Sequence, residues 1–355
     1  MNTKDDECLP VKLKKWLPRF ACPECKGEIF IEASSLICRS CSRKYLINRG
    51  VPILLPDSLR NMNSEEGENW QKIHAQLEAK YIDLDGDSFR HKMLEVAKDG
   101  FSDVQDGFFW EKRLFLNLKK PVLLKKNYNR LLEERNRLIL SVFKDKTRLQ
   151  NKMILNIGPG SDLNLIKIFE DEGAEVMNCD VIEDSLRFLS DNGKELLIAG
   201  DSRKLPFQTG TFDLVLALDV LHHVHPVSVP IREVYRVLRD EGDFYISELN
   251  KLNPLALVKK IFPKFVRKWQ RNLLRKALKT DERPSIGSPH ERVLSRNEVI
   301  MPLNEAGFID VNVQVLNYVN PIFPQATIHI LEAVARRFSR FLLPIASRYL
   351  YLATK

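Results

Sequence analysis

The 355-residue chain has no apolar run of the about 20 residues that a membrane-crossing helix needs. Its opening, MNTKDDECLPVKLKK, has no apolar leader. A cytoplasmic protein is the resulting expectation. The chain has no internal repeat and no low-complexity tract, which sets aside repeat arrays and biased linkers. It has no phosphate-loop lysine motif and no complete G-x-G-x-x-G fingerprint. Neither an ATP-type nor a dinucleotide site is therefore written in a single motif. Acidic residues are missing from one stretch: between Lys251 and Lys279 stand ten cations and no Asp or Glu. The whole chain carries a formal net charge of +8. Without those ten cations it is close to neutral, which argues against a uniformly basic nucleic-acid coat.

What is present is ordinary for a globular protein: 44% apolar and 29% charged residues. The length allows a large core and more than one domain. Residues 1–19 read as a flexible tail and residues 20–56 as short strands carrying cysteines. Residues 57–146 read as a mostly helical linker or substrate cap, with Trp70, Ile73, Leu77 and Tyr81 at helical spacing. From residue 152 to 249 strand-like runs (MILNIG, EVMNCDV, ELLIAG, FDLVLALDV, DFYISEL) alternate with helix-like ones (DLNLIKIFEDEG, VPIREVYRVLRDEG). That alternation predicts an α/β fold with parallel strands joined by right-handed crossovers. A helix (SRNEVIMPLNEAG), a strand (FIDVNVQVL), another helical stretch and a last strand (RYLYLATK) complete the chain.

Four of the six cysteines form two C-x-x-C pairs, Cys22/Cys25 and Cys38/Cys41, with twelve residues between them. Each pair makes a knuckle that offers two thiolates to one ion, and two knuckles complete a sulfur cage suited to zinc. No substrate-like group stands nearby, so the zinc reads as structural. Gly27 follows the first knuckle, where a left-handed turn residue is useful. The stretch CPECKGEIF…LICRSCSRKYLINRGVPILLP resembles the zinc ribbon of the small proteins that bind and activate tRNA and protein methyltransferases. The resemblance covers about residues 20–56 and implies a ribbon beside a methyltransferase.

The run KMILNIGPGSDLNLI predicts strand, glycine turn and helix start, whose backbone N–H groups favour an anion. Asp180 ends the next strand, where an acidic side chain accepts hydrogen bonds from ribose hydroxyls. Asp201 ends the strand after that and suits an adenine amino group, with Ser202 and Leu205 flanking the ring. Adenine and ribose without pyrophosphate point to S-adenosylmethionine. The ordered segments ILNIGPGSD, CDVIEDSL, GDSRKLPFQTGTFDLVLALDVLHHV and EVYRVLRDEGDFYISELN are similar to the class I S-adenosylmethionine-dependent methyltransferases. Within them the likeness is to the broad type 11 group that includes the ubiquinone and menaquinone methylases. It implies a Rossmann-like fold with a mostly parallel seven-stranded sheet over residues 147–355. It also implies that Gly158 and Gly160 line the methionine end, Asp180 the ribose, and Asp201 with Ser202 the adenine. Asp219 falls near the transfer site. Two positions depart from the pattern: Asn156 replaces the acidic residue before the first glycine, and Asp162 replaces a third glycine.

Methyl transfer from a sulfonium needs alignment and exclusion of water, and an oxygen acceptor needs a general base as well. His222 and Glu248 are the candidates, His222 lying in LDVLHHVHP beside His223 and His225. The histidines have no clean metal-ligand spacing. The basic segment, an insertion at 251–296, interleaves Val258, Phe262, Phe265, Trp269 and Leu273 with cations, a composition that fits a lid or an anionic membrane surface through 254–279. The expected activity is methyl transfer to a small-molecule or lipid- or glycan-linked acceptor, in the cytoplasm or at the inner face of its membrane. An RNA methyltransferase using the ribbon for docking is the first alternative, without a base-stacking aromatic motif to support it. A catalytically silent docking protein is the second.

Overall fold

The computed structural model describes residues 9–57 apart from 33 and 49, residues 133 and 135–141, 149–159, 163–181, 186, 189, 196–252 apart from 225, 293–318 and 325–355. Most of the expected cap (57–146) and of the basic insertion therefore lies outside the described residues, and so does His225.

Four short strands make the front sheet: β1 (Ile29–Glu32), β2 (Ser35–Cys38), β3 (Lys44–Asn48) and β4 (Val51–Pro52), each antiparallel to the next. Alternation is clear in β3, where Tyr45 and Ile47 are buried between exposed Lys44 and Leu46. Of the tail expected over residues 1–19, residues 1–8 lie outside the described residues, and residues 9–19 are built into the fold. Helix α1 (Val11–Lys14) and a 3-10 turn at Leu17–Arg19 place Leu9, Leu13 and Trp16 in the core. Trp16 stacks on Phe212 at 5.7 Å, and its indole N–H donates to Glu175 at 3.1 Å.

The main sheet has seven strands: β5 (Met153–Ile157), β6 (Glu175–Asp180), β7 (Leu197–Ala199), β8 (Phe212–Leu218), β9 (Leu238–Leu249), β10 (Ile309–Asn317) and β11 (Arg348–Thr354). Their order is β10-β11-β9-β8-β5-β6-β7. Strands β5 to β9 pair in parallel, while β11 is antiparallel to both β9 and β10. This is the Rossmann-like, mostly parallel seven-stranded sheet that the sequence leads one to expect. The central strands are continuous apolar runs because both faces are covered. Helices α2 (Leu163–Asp171), α3 (Ser228–Val237) and α4 (Arg296–Ala306) supply part of that cover. Helix α4 starts in a capping box, Ser295 with Glu298, and stops at Gly307, whose φ of 100° is left-handed. Helix α5 (Gln325–Arg337) joins β10 to β11.

The front sheet is joined to the main one. Ile53, just after β4, bridges in parallel to Ala199 of β7, and the Leu54 N–H donates to Ala199 O at 2.9 Å. Phe20 bridges to Phe207. One buried apolar cluster runs from Leu13, Phe20 and Tyr45 to Leu155, Phe207 and Phe244. The ribbon's small core is thus completed by the larger domain, in addition to any metal.

Candidate active site and metal centre

Strand order reverses at β5, which has β6 on one side and β8 on the other. Such a switch point opens a crevice at the carboxyl ends of the strands. Gly158 closes β5 there with φ +62°, and its N–H donates to Cys179 O at 2.9 Å. A Cβ at this position would stand 2.5 Å from Val220 Cγ2. Glycine is therefore required twice, for the backbone angle and for the close approach of Val220. Gly160 and Asp162 lie outside the described residues.

Asp180 is the last residue of β6 and is buried, opposite Ala199 of β7. Asp201 follows β7 and caps the 3-10 turn Ser202–Lys204, accepting the Arg203 N–H at 2.9 Å. The Arg203 guanidinium also grips both Asp201 oxygens, at 2.9 Å and 2.6 Å. With the Arg203 N–H, each Asp201 oxygen accepts two contacts from Arg203, which fixes the plane of the carboxylate and engages it from one side. Ser202 beside it is buried. Asn156 turns inward, and its amide donates to Asn178 Oδ1 at 3.1 Å across the β5–β6 pair. Asn156 thus joins Asn178 in a polar rung of the sheet, two residues before Gly158.

At the other end of the cluster, all four sulfurs of Cys22, Cys25, Cys38 and Cys41 lie within 4.8 Å of one another. Cys22 and Cys41 sulfurs are 3.7 Å apart, and those of Cys25 and Cys38 3.5 Å. A tetrahedral zinc with bonds of about 2.3 Å has sulfur–sulfur edges of roughly 3.8 Å, so the donor set fits. The knuckles are alike: the Lys26 N–H donates to Cys22 O at 2.8 Å and the Ser42 N–H to Cys38 O at 2.9 Å. The left-handed residues are Lys26 (φ 60°) and Ser42 (φ 56°), which corrects the role expected for Gly27. Gly27 serves packing instead, since a Cβ there would meet Ser40 Oγ at 2.3 Å and Cys38 Sγ at 3.0 Å. The Tyr45 hydroxyl lies 2.9 Å from Cys22 Sγ, placed to support a bound thiolate.

Residues 155–246 match the family described as a methyltransferase domain. The chain carries a methyltransferase domain. A demethylmenaquinone methyltransferase of Streptomyces avermitilis is 35% identical over 98 residues, 27% of this chain and 42% of that enzyme. The chain spans about half the length of the methyltransferases and other proteins it first matches. A protein of the UPF0434 family from Idiomarina loihiensis is 37% identical over 57 residues, 16% of this chain and 88% of that protein, and over that stretch the chain belongs to that family. Among solved structures, a SAM-dependent methyltransferase from Archaeoglobus fulgidus covers 64% of this chain and 100% of its own, with TM-score 0.40 and 17% identity.

The methyltransferase domain brings His222 and Glu248 together. Glu248, near the end of β9, is buried, and its Oε2 lies 2.8 Å from His222 Nδ1. Its other oxygen accepts the N–H groups of Val220 at 3.2 Å, Leu221 at 2.7 Å and His222 at 3.4 Å. Glu248 therefore caps the 3-10 turn Leu221–His223 and orients the imidazole with one side chain. Asp219, between β8 and that turn, has φ +63°. Its carboxylate pairs with Arg135 at 3.3 Å and with Arg348. The sequence reading missed both arginines. Arg348 reaches the site because the final strand is antiparallel, so its first residue lies at the carboxyl ends of the others. Nothing in the local sequence signals that return.

Contacts between the ribbon and the methyltransferase domain fall on the loop behind β7 and on helix α3. Lys204 Nζ pairs with Glu24 of the first knuckle at 2.7 Å. Lys26 Nζ reaches Leu205 O at 3.2 Å and Glu233 at 2.8 Å. The Gln208 N–H donates to Arg19 O at 2.8 Å and the Ala21 N–H to Pro206 O at 3.0 Å.

Proposed function

We propose that this chain transfers the methyl group of S-adenosylmethionine to a small-molecule or lipid- or glycan-linked acceptor, with a structural zinc on Cys22, Cys25, Cys38 and Cys41. The observation that carries the reading is the row at one sheet edge. A positive-φ glycine ends β5, Asp180 ends β6 and Asp201 follows β7. A ribose offers two hydroxyls to Asp180, an adenine offers an amino group to Asp201, and a carboxylate end suits the N–H groups of a glycine turn. Bound there, the cofactor supplies an electrophilic methyl carbon on sulfonium sulfur.

The chain's own work is alignment and dryness. Val220 packs against Gly158 and fixes the width of the crevice beside the methionine end. Glu248 holds the His222 Nδ1 side, which leaves Nε2 as the basic nitrogen. With an oxygen acceptor, Nε2 would take the acceptor's proton. The basic insertion, described only at Lys251 and Leu252 and again from residue 293, supports a peripheral contact with an anionic membrane by its composition.

Incubating the zinc-loaded protein with methyl-labelled cofactor and cell fractions tests the reading. Label is expected in the small-molecule or lipid fraction. Label confined to RNA supports the RNA alternative, and no transfer despite tight cofactor binding supports the silent one.

A further inference from the structure

Helix α5 is amphipathic the wrong way round. A surface helix normally turns its apolar stripe to the core and its charges to water. Here Glu332 accepts the Tyr318 N–H at 2.6 Å and Arg336 donates to Leu316 O at 3.3 Å, so the charged side chains tie the helix to the end of β10. From residue 330 onward, apart from buried Ala335, the described apolar side chains of the helix point outward. Ile330 is 66% exposed, Val334 52%, Phe338 53% and, in the following turn, Phe341 79%. Half of the large apolar residues exposed among the described residues, Leu331 included, fall within residues 330–341. A contiguous exposed stripe of this kind marks a binding surface.

Two further observations identify what covers it. From Ala333 to Lys355 the chain has no acidic residue, and Arg337 is exposed beside the apolar stripe, whereas Arg336 leans on Glu332 and Leu316 O and Arg348 and Lys355 pair with Asp219 and Asp240. An exposed apolar stripe with a cation beside it, the one carboxylate of the segment (Glu332) being turned onto the Tyr318 N–H, matches an anionic lipid surface. The location also fits. Strand β10 runs parallel to β5–β9 and β11 returns antiparallel, so α5 crosses at the sheet edge that carries Gly158, Asp180 and Asp219. Arg348, which pairs with Asp219, follows Phe341 by seven residues.

We infer that residues 330–341 seat this chain on an anionic phospholipid bilayer, with the crevice edge facing the membrane. This interfacial site stands apart from the basic insertion at 251–279 and does not depend on the methyl-transfer reading, although it would deliver a lipid-borne acceptor to the right edge.

The test is flotation of the full-length protein with vesicles of phosphatidylcholine, with and without phosphatidylglycerol. Comparison uses F338S/F341S, which removes exposed side chains only, and R337Q. Wild type is expected to float with anionic vesicles and to be released by salt. The double variant should partition about tenfold more weakly, from two lost aromatic anchors. R337Q should weaken binding to anionic vesicles only. Melting curves and S-adenosylmethionine calorimetry on the same samples should be unchanged, which separates lost docking from a lost fold or an empty cofactor site. Equal flotation of wild type and F338S/F341S overturns the inference. So does a wild type that ignores lipid, or one that is a dimer by light scattering and becomes a monomer in F338S/F341S.

Discussion

At Gly158 two independent constraints meet in one residue, a left-handed φ and a side chain 2.5 Å from where a Cβ would be. Gly158→Ala is therefore expected to cost at least the roughly 1–2 kcal/mol of a left-handed alanine, with the Val220 overlap added. Part should appear as a lower melting temperature and part as weaker S-adenosylmethionine binding by calorimetry. Glu248 is the other residue with two duties. Its carboxylate accepts three backbone N–H groups and faces His222. Glu248→Gln keeps the size but brings an amide donor against His222 and removes the charge. A loss of about 1.5–3 kcal/mol is expected by chemical denaturation, the range for hydrogen bonds to charged groups. His222→Ala should leave the cap in place, lowering turnover of an oxygen acceptor while cofactor affinity holds. Asp180 and Asp201 were legible in the sequence because each sits at the end of an apolar run. Asn156 was not, because its engagement by Asn178 depends on register between two strands. The Asp219 pairing was not, because its partners come from positions 135 and 348.

Among elements, the strands of the central sheet and helix α4 were readable from periodicity and from the S-x-x-E box before an apolar run. The ribbon's cysteines were readable from spacing alone. What spacing could not tell is where the ribbon attaches. It extends the main sheet at β7, the edge strand, and braces the loop that carries Asp201 and Ser202. Covering an edge strand in this way also protects its open hydrogen-bonding groups. Metal removal is therefore expected to be felt at a distance. Chelation should release about one zinc per chain, lower the melting temperature and weaken S-adenosylmethionine binding, since the loop loses Glu24 and Lys26 as anchors. A chelated protein that keeps its melting curve and its cofactor affinity would show that apolar packing of Phe20, Trp16 and Leu54 suffices without the ion.

For the molecule as a whole, the sheet order places everything chemical on one edge: the glycine turn, two acidic strand ends, the His222–Glu248 pair and the Asp219 arginine clamp. Among the described residues no helix is long and apolar enough to cross a membrane. The acid-free stretch 251–279, with its ten cations, explains how an otherwise nearly neutral chain carries a net charge of +8. The central claim is that this edge holds S-adenosylmethionine through Asp180. Calorimetric titration of zinc-loaded wild type and Asp180→Ala with S-adenosylmethionine tests it most directly. One site per chain is expected in the wild type, with affinity at least tenfold weaker in Asp180→Ala at a temperature where melting curves show both proteins folded. No heat of binding in the wild type, or equal affinity in the two proteins, would contradict it.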